Sequence, residues 1–496
     1  MDVLQYLIIG FRVALDPMNL LFCFLGCLGG TLVGVLPGFG PVAAMALLLP
    51  STFHLSPVSA IIMLAGIYYG AMYGGSTTSI LINIPGETAS VVTCLDGYQM
   101  ARKGRAGPAL GMSAFASFIA GTIGVVGLML LAPPLTRFAL QFGPPEYFSL
   151  MFLGLTLVAY LAQGSMIKAF IMAALGLLIA FIGTDVVSGV SRFTYDFIEL
   201  REGVGIIPIL MGVFGVAEIF SNAEEEMGRE VFASKIKGLL PTLKDWMDSK
   251  WALLRGSLVG FFLGILPGGG AVIASFVAYA LEKRFSKHPQ DFGTGIIEGV
   301  AGPESANNSA TAGAFIPLLT LGIPGNAVTA LLLGAFMIHG TQPGPLMMER
   351  TPELFWGIVA SMYLGNIILL ILNLPLIGIW VRVLKVPYSI LSPLILLFCI
   401  VGAYSLNNSL WDIAIMIFFG VLGHVMKKAG FEGAPMILSL VIGQMFENAF
   451  RQSLLLGDGS FMIFIRRPIS AVLVMLSISL IFTATIRKRL PQTIQQ

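Results

Sequence analysis

The sequence predicts an all-α polytopic membrane protein of about 11–12 spans, built as two inverted repeats with re-entrant hairpins and discontinuous helices. Three observations carry this expectation. Of the 496 residues, 56% are hydrophobic and only 11% charged, with a mean hydropathy of +0.89, too few charges to clothe a water-facing surface. Apolar windows long enough to cross a bilayer recur from end to end, and proline–glycine motifs recur in the same order in both halves. This composition argues against a soluble enzyme, a disordered scaffold and a nucleic-acid binder, while the net charge of +2 points to no particular partner.

Clear windows lie near 18–36, 58–74, 109–132, 145–164, 166–185, 204–222, 251–267, 354–380, 387–407, 410–427, 435–455 and 468–486. Segments 38–50, 271–282 and 309–338 are apolar but broken by glycine, proline and small polar residues, so each reads equally as a re-entrant hairpin or an interrupted helix. No cleavage site follows the first apolar stretch, and a short amphipathic or interfacial helix is expected there. Cys23, Cys27, Cys94 and Cys399 sit in apolar surroundings without metal-ligand spacing and read as packing residues.

The duplication rests on matched motifs. Gly34-Val-Leu-Pro-Gly-Phe-Gly40 parallels Gly264-Ile-Leu-Pro-Gly-Gly-Gly270, and Ile84-Pro85-Gly86-Glu87 parallels Ile323-Pro324-Gly325-Asn326. Gly107-Pro108 then matches Gly344-Pro345, and Pro145 matches Pro387. The expected units are residues 1–220 as the first membrane repeat, 221–250 as a charged cytoplasmic linker, 251–456 as the second repeat, and 457–496 as an extra span and tail. Basic loops favour the cytoplasm. Placing Arg102, Lys103, Arg105, Lys168, the linker, Lys283 to Lys287, Arg382, Lys385, Lys427, Lys428 and Arg487 to Arg489 inside puts corresponding loops on opposite sides, with Arg466 and Arg467 as exceptions.

Two polar clusters at membrane depth are the candidate substrate and cation site: Ser76, Thr77, Thr78, Ser79 and Asn83 before Pro85, Gly86 and Glu87, and Glu304, Asn307, Asn308, Ser309 and Thr311 before Pro324, Gly325 and Asn326. Proline removes a backbone donor and glycine permits left-handed geometry, so each IPG should break a helix and free main-chain groups. Helix N-termini attract anions, and freed carbonyls with hydroxyl and amide oxygens suit a cation such as sodium, its ligands unassigned. The competing reading is close helix packing, which small residues also serve. Gly38, Gly40, Gly268, Gly269 and Gly270 in the LPG motifs read either as gating hairpin tips or as tight turns. Glu87, Glu298 and Glu304 are candidates for cation coordination or proton carriage. Glu146, Asp185, Glu218, Asp412 and His424 lie near span ends and read as structural or interfacial, with Glu447 deeper.

The dipeptide Gly-Lys never occurs, so there is no Walker A loop, and no histidine sits in an HExxH pair. Neither cofactor nor enzymatic activity is expected, and transport driven by an ion gradient or by diffusion is left.

The segments GVLPGFG, YGGSTTSILINIPGE, GILPGGGAVIASFVAYALEKRFSKHP and FGTGIIEGVAGPESANNSATAGAFIPLLTLGIPG together resemble the large membrane subunit of the tripartite tricarboxylate transporters, the TctA family. The resemblance implies a multi-pass bacterial inner-membrane secondary transporter that imports a carboxylate with a cation. It also implies two partners, a small four-span membrane subunit and a periplasmic solute-binding protein. Moving one charge through 100 mV is worth about 2.3 kcal/mol, so a trianion entering an inside-negative compartment needs roughly 7 kcal/mol, and cations must accompany it. No Lys or Arg occurs between Ser59 and Ala101 or between His288 and Glu349, which leaves main-chain dipoles and the co-bound sodium or proton to attract the anion. A passive polar-solute channel and a non-catalytic scaffold subunit are the alternatives.

Overall fold

The computed structural model describes residues 3–36, 40–162, 165–185, 187–224, 238–384, 386 and 388–487. The expected Gly38, much of the 221–250 linker, Lys385 and Arg489 lie outside the described residues. The chain is almost wholly helical, apart from a two-residue antiparallel strand pair at Gly183–Thr184 and Ser191–Arg192. Helices α1 (Val3–Ala14), α2 (Pro17–Val35), α3 (Gly40–Leu48) and α4 (Pro57–Ile82) open the molecule. They are followed by short helical turns and by α5 (Ala106–Ala139), α6 (Pro144–Tyr160) and α7 (Met166–Ala180). A helix with a π-helical turn at Met211–Val216 then leads to the linker.

The second half begins with α8 (Leu243–Ile265), α9 (Gly270–Phe285), α10 (Glu298–Leu321) and α11 (Ala327–Ile338). It continues through α12 (Pro352–Asn373), α13 (Tyr388–Asn407), α14 (Leu410–Lys428), α15 (Gly433–Leu456) and α16 (Pro468–Arg487). The three ambiguous apolar segments are thus helical: 38–50 contains α3, 271–282 lies in α9, and 309–338 divides into the end of α10 and α11. The 354–380 window is not one span, because α12 ends at Asn373 and a short helix resumes at Ile377. Six described helices are long and apolar enough to cross a membrane by those measures. Several of the others expected to cross are shorter, as α6 and α7 are, or carry the polar groups of the core, as α10 does.

Backbone approach organises the core. Along α2, a Cβ placed on Gly26, Gly30 or Gly34 would fall 2.2, 2.3 and 2.4 Å from the carbonyl oxygens of Met63, Ile67 and Ala71 in α4. Along α8, Gly256, Gly260 and Gly264 stand in the same way 2.4, 2.2 and 2.3 Å from the carbonyl oxygens of Gly302, Ala306 and Ala310 in α10. Each glycine ridge repeats every four residues, one helical face, and lets two parallel helices touch along their main chains. In lipid, where apolar side chains gain little by meeting one another, such close packing is what holds helices together. The buried Cys23 and Cys27 lie beside this ridge and face α12, with Cys23 Sγ 3.7 Å from Ser361 O. Helix α1 is the short helix expected there, and it packs on α12, with Gly10 against the Trp356 backbone and the rings of Tyr6 and Trp356 stacked 5.4 Å apart.

Gly260→Val forces a branched side chain into the Ala306 carbonyl and is expected to destabilise the protein by about 1–3 kcal/mol or more, as overpacking does. Gly334→Ala, which meets nothing within 4 Å, should be neutral or slightly stabilising. Thermal unfolding of the two variants in detergent compares them.

Candidate functional site

Helices α4 and α10 cross in opposite directions at the centre of the molecule, Tyr68 lying beside Phe315 and Ser76 beside Glu304. Each helix stays unbroken through its polar cluster and ends just afterwards. At the end of α4, Asn83 turns left-handed (φ 57°), and at the end of α10 Gly322 does the same (φ 71°). Each IPG motif then packs against the glycine-rich segment of its own half, at Gly34 in the first and Gly268 in the second. In the second half Gly268, itself left-handed at φ 80°, donates its N–H to Gly325 O at 2.8 Å. In the first half Gly86 is wedged between Gly34 O and Gly75 Cα, where a Cβ would fall 2.1 and 2.5 Å away.

The two polar clusters meet directly. Glu304, 0% exposed, accepts from Ser76 Oγ at 2.6 Å, from Thr93 Oγ1, and more weakly from Ser117 Oγ at 3.4 Å. Asn308 Nδ2 donates to the same Ser117 at 2.7 Å and back to Glu304 O. Glu87, 5% exposed, accepts from Asn307 Nδ2 at 3.1 Å and from Ala89 N. Asn326 caps α11 through Thr329 N and donates to Tyr68 Oη at 3.1 Å. Five buried oxygens of α4 and α10 have no hydrogen-bond partner: Tyr69 Oη, Tyr73 Oη, Ser305 Oγ, Asn307 Oδ1 and Ser309 Oγ. None of the ion pairs among the described residues includes Glu87 or Glu304.

Other expected residues serve packing. Thr78 Oγ1 donates to Val35 O, tying α4 to the first LPG turn, and Ser79 Oγ donates to Gly75 O and Ser90 Oγ. Thr311 Oγ1 bonds back to Asn307 O within α10, Thr77 is buried, and Asn83 is exposed at the helix end. Pro85 and Pro324 follow the left-handed ends of α4 and α10, Gly40 and Gly270 open α3 and α9, and Gly269 lies in the second LPG turn. Main-chain groups freed by the IPG breaks were expected as the ligands, yet Gly325 O is already taken by Gly268, and the convergent groups are mainly side chains on continuous helices. Glu298, at the start of α10, contributes no hydrogen bond to the cluster.

Sequence reasoning missed Thr93, Ser117 and Asp96. Asp96, 0% exposed, accepts from the N–H groups of Gly293, Gly295 and Ile296 and from Tyr279 Oη at 2.8 Å, fastening the segment after the first IPG to the loop leading into α10. An acid inside a stretch without Lys or Arg was its visible signal, but its partners are backbone amides some two hundred positions away, which no pattern announces. The peripheral acids prove to be paired. Glu447 bridges Arg192 and Arg451, and Glu146 lies 3.6 Å from Arg467. Asp185 sits in a loop where the Ser188 hydroxyl, the Val187 N–H and Arg451 hold its carboxyl well below the usual carboxylate range.

Fold and site together describe a multi-pass helical membrane protein whose polar groups converge where two internal helices cross. The chain belongs to the tripartite tricarboxylate transporter TctA family, whose model matches residues 20–438. It is thus a subunit of a transport system with further components. It is similar over 98% of its length, at 50% identity, to an Agrobacterium vitis protein described as an uncharacterized 52.8 kDa protein in the TAR-I ttuC′ 3′ region, 96% of which is covered. A second Agrobacterium vitis protein, described as uncharacterized in the TAR-II ttuC′ 3′ region, is 49% identical over 45% of this chain and 93% of its own. No solved structure matches the chain.

Asp96→Ala strands three backbone donors and is expected to cost about 2–4 kcal/mol of stability, with Asp96→Asn milder because it keeps one acceptor. Thermal unfolding of both variants in detergent measures the order.

Proposed function

We propose that this subunit is a cation-coupled secondary transporter that carries a carboxylate across a bacterial inner membrane, receives it from a periplasmic binding protein, and works beside a small four-span subunit. The observation that carries this reading is the pair of buried carboxylates without a cationic partner, set among unpartnered oxygens. A carboxylate shut away from water is stable only with a proton or a cation at hand. Asn307 Oδ1 and Tyr73 Oη, on residues that neighbour Glu87 and Glu304, offer the oxygen ligands that hard cations take. Binding a sodium ion or proton there would offset the charge of an entering anion, which the amides of Asn307 and Asn308 and the hydroxyls of Ser76 and Ser117 would orient. A passive channel has no use for two unpaired buried acids, and a scaffold subunit none for orphaned oxygens.

Inverted duplication is part of the proposal, and three features support it. Both halves pair a glycine-ridged helix in parallel with the helix that carries the polar cluster. In the second half the IPG break meets Gly268 of the LPG turn, and in the first it meets Gly34 near the end of α2. The corresponding helices α4 and α10 run antiparallel, as an axis in the membrane plane requires. The basic loops agree with it: Arg105 pairs with Asp245 at the start of α8, and Arg255 with Glu282 near the end of α9, gathering the cytoplasm-assigned charges on one face. The LPG and IPG turns that touch in the second half are suited to gating, with one unit moving against the other around the crossing.

Uptake of labelled di- and tricarboxylates into vesicles with imposed sodium and proton gradients, with the other components present, tests the coupling. Uptake should rise steeply with one of the two cations, and indifference to both refutes the mechanism. Asn308→Ala and Ser76→Ala should each lower uptake by about tenfold or more at equal membrane abundance; wild-type rates in both would return the clusters to packing. Reporter fusions at Gly104 and Gly344 should report opposite sides of the membrane.

A further inference from the structure

A cavity of about 890 Å³ lies away from the helix crossing, between the ends of α5 and α6, the loop from Gly340 to Thr351, and α15. We propose that it is an outward-facing reception site for a di- or tricarboxylate, with Arg350 as its anion-binding group. The proposal rests on the carboxylate-transporter reading above and adds a second site to it.

The lining chemistry selects an anion. Arg350 is the one charged residue among those that line the cavity, and no Asp or Glu joins it. Arg105, Arg192, Arg255, Arg451 and Arg467 each pair with an acid, whereas the Arg350 guanidinium has no ion-pair or hydrogen-bond partner among the described residues. A guanidinium presents a planar fork of donors that matches a carboxylate in two parallel bonds. The same cavity is lined by Thr341 and Gln342 from the loop and by Asn448 and Gln452 from α15. The last two are four residues apart and therefore on one helical face. Amides and hydroxyls of this kind can serve the second and third carboxyl groups and the hydroxyls of a polycarboxylate. The volume falls within the roughly 300–1,000 Å³ usual for small-molecule sites. At the rim, Glu146 is occupied by Gly143 N at 2.9 Å and by Arg467, so it leaves no free acid to repel the ligand.

Position gives the site its role. Helix α5 starts beside the Arg105–Asp245 pair on the basic face and ends at Ala139, a lining residue. Its 34 residues span about 50 Å at 1.5 Å per residue, so the cavity belongs to the opposite face, the outer one under the charge rule. It also touches the transport machinery. Leu321, Pro343 and Gly344 line it; Gly344 N donates to Leu319 O, and Pro343 O lies 2.6 Å from where a Cβ would stand on Gly322. Gly322 is the left-handed residue that ends α10 before the second IPG break, so a ligand against this wall presses on the hinge of that break.

Binding of citrate, succinate and inorganic phosphate to the full chain in nanodiscs of zwitterionic lipid tests the proposal. Citrate or succinate should bind saturably, phosphate at least tenfold more weakly. Arg350→Gln should weaken binding by about tenfold or more, Arg350→Lys by less. Unchanged binding in Arg350→Gln, no binding of either carboxylate by the wild type, or phosphate binding as tightly would each overturn it. A second measurement does not depend on how Arg350 variants fold. The four native cysteines are buried, so Gln342→Cys in intact cells offers a site for a membrane-impermeant maleimide, and citrate or succinate should slow its labelling several-fold; equal rates with and without them overturn the proposal. Asn308→Ala should keep this binding and protection while losing uptake, so a failure at the helix crossing is distinguishable from a failure here.

Discussion

Carboxylates at membrane depth must find partners inside the protein, and this requirement shapes the centre of the structure. Glu304 and Glu87 sit where water has no ready access and where neither neighbouring stretch supplies a lysine or arginine. Hydroxyls and amides therefore converge on them from three helices and from the segment after the first IPG. Such convergence needs helices close enough for short side chains to reach across. The two glycine ridges make room by removing side chains between α2 and α4 and between α8 and α10. The ridges thus seat α4 and α10 within their own halves, and the constraint on the centre is side-chain reach at the crossing of the two.

That constraint separates the functional centre from its supports. Ser76, Ser117, Asn307, Asn308 and the two glutamates form one hydrogen-bonded group, and within it Asn307 Oδ1 has no partner. Asp96 is the opposite case. Three backbone donors and a tyrosine hydroxyl fill its capacity, and it acts as a clasp between the two halves of the chain. Away from the crossing, Asp185, Glu146 and Glu447 each lie beside an arginine.

Membership of the TctA family sets the class of transport system. In the coupled mechanism proposed above, anion attraction is divided between two places. The crossing holds acids and neutral donors and is suited to a cation together with its substrate. Arg350, at the far end of α5, offers a fixed positive charge where solvent can reach it. A fixed cation beside Glu304 or Glu87 would instead pair with the carboxylate permanently and remove the need for a coupling ion.

The sequence alone determined the membrane class, the helical content, the places where α4 and α10 end, and most of the polar residues that meet. Those properties are local: hydropathy fixes what enters lipid, and Pro-Gly dictates where a helix stops. The glycine ridges at Gly26, Gly30, Gly34 and at Gly256, Gly260, Gly264 went unread, because a four-residue spacing shows a face but not what packs on it. Which groups face one another was not legible either. Ser117 joins Asn308, Thr93 joins Glu304, Asp96 finds amides in a distant loop, and Arg350 is left without a partner, because each outcome depends on how helices far apart in the chain cross. Only the tertiary structure decided that the polar clusters ride on unbroken helices and meet by their side chains, since side-chain reach across a helix crossing is a property of the pair and not of either segment.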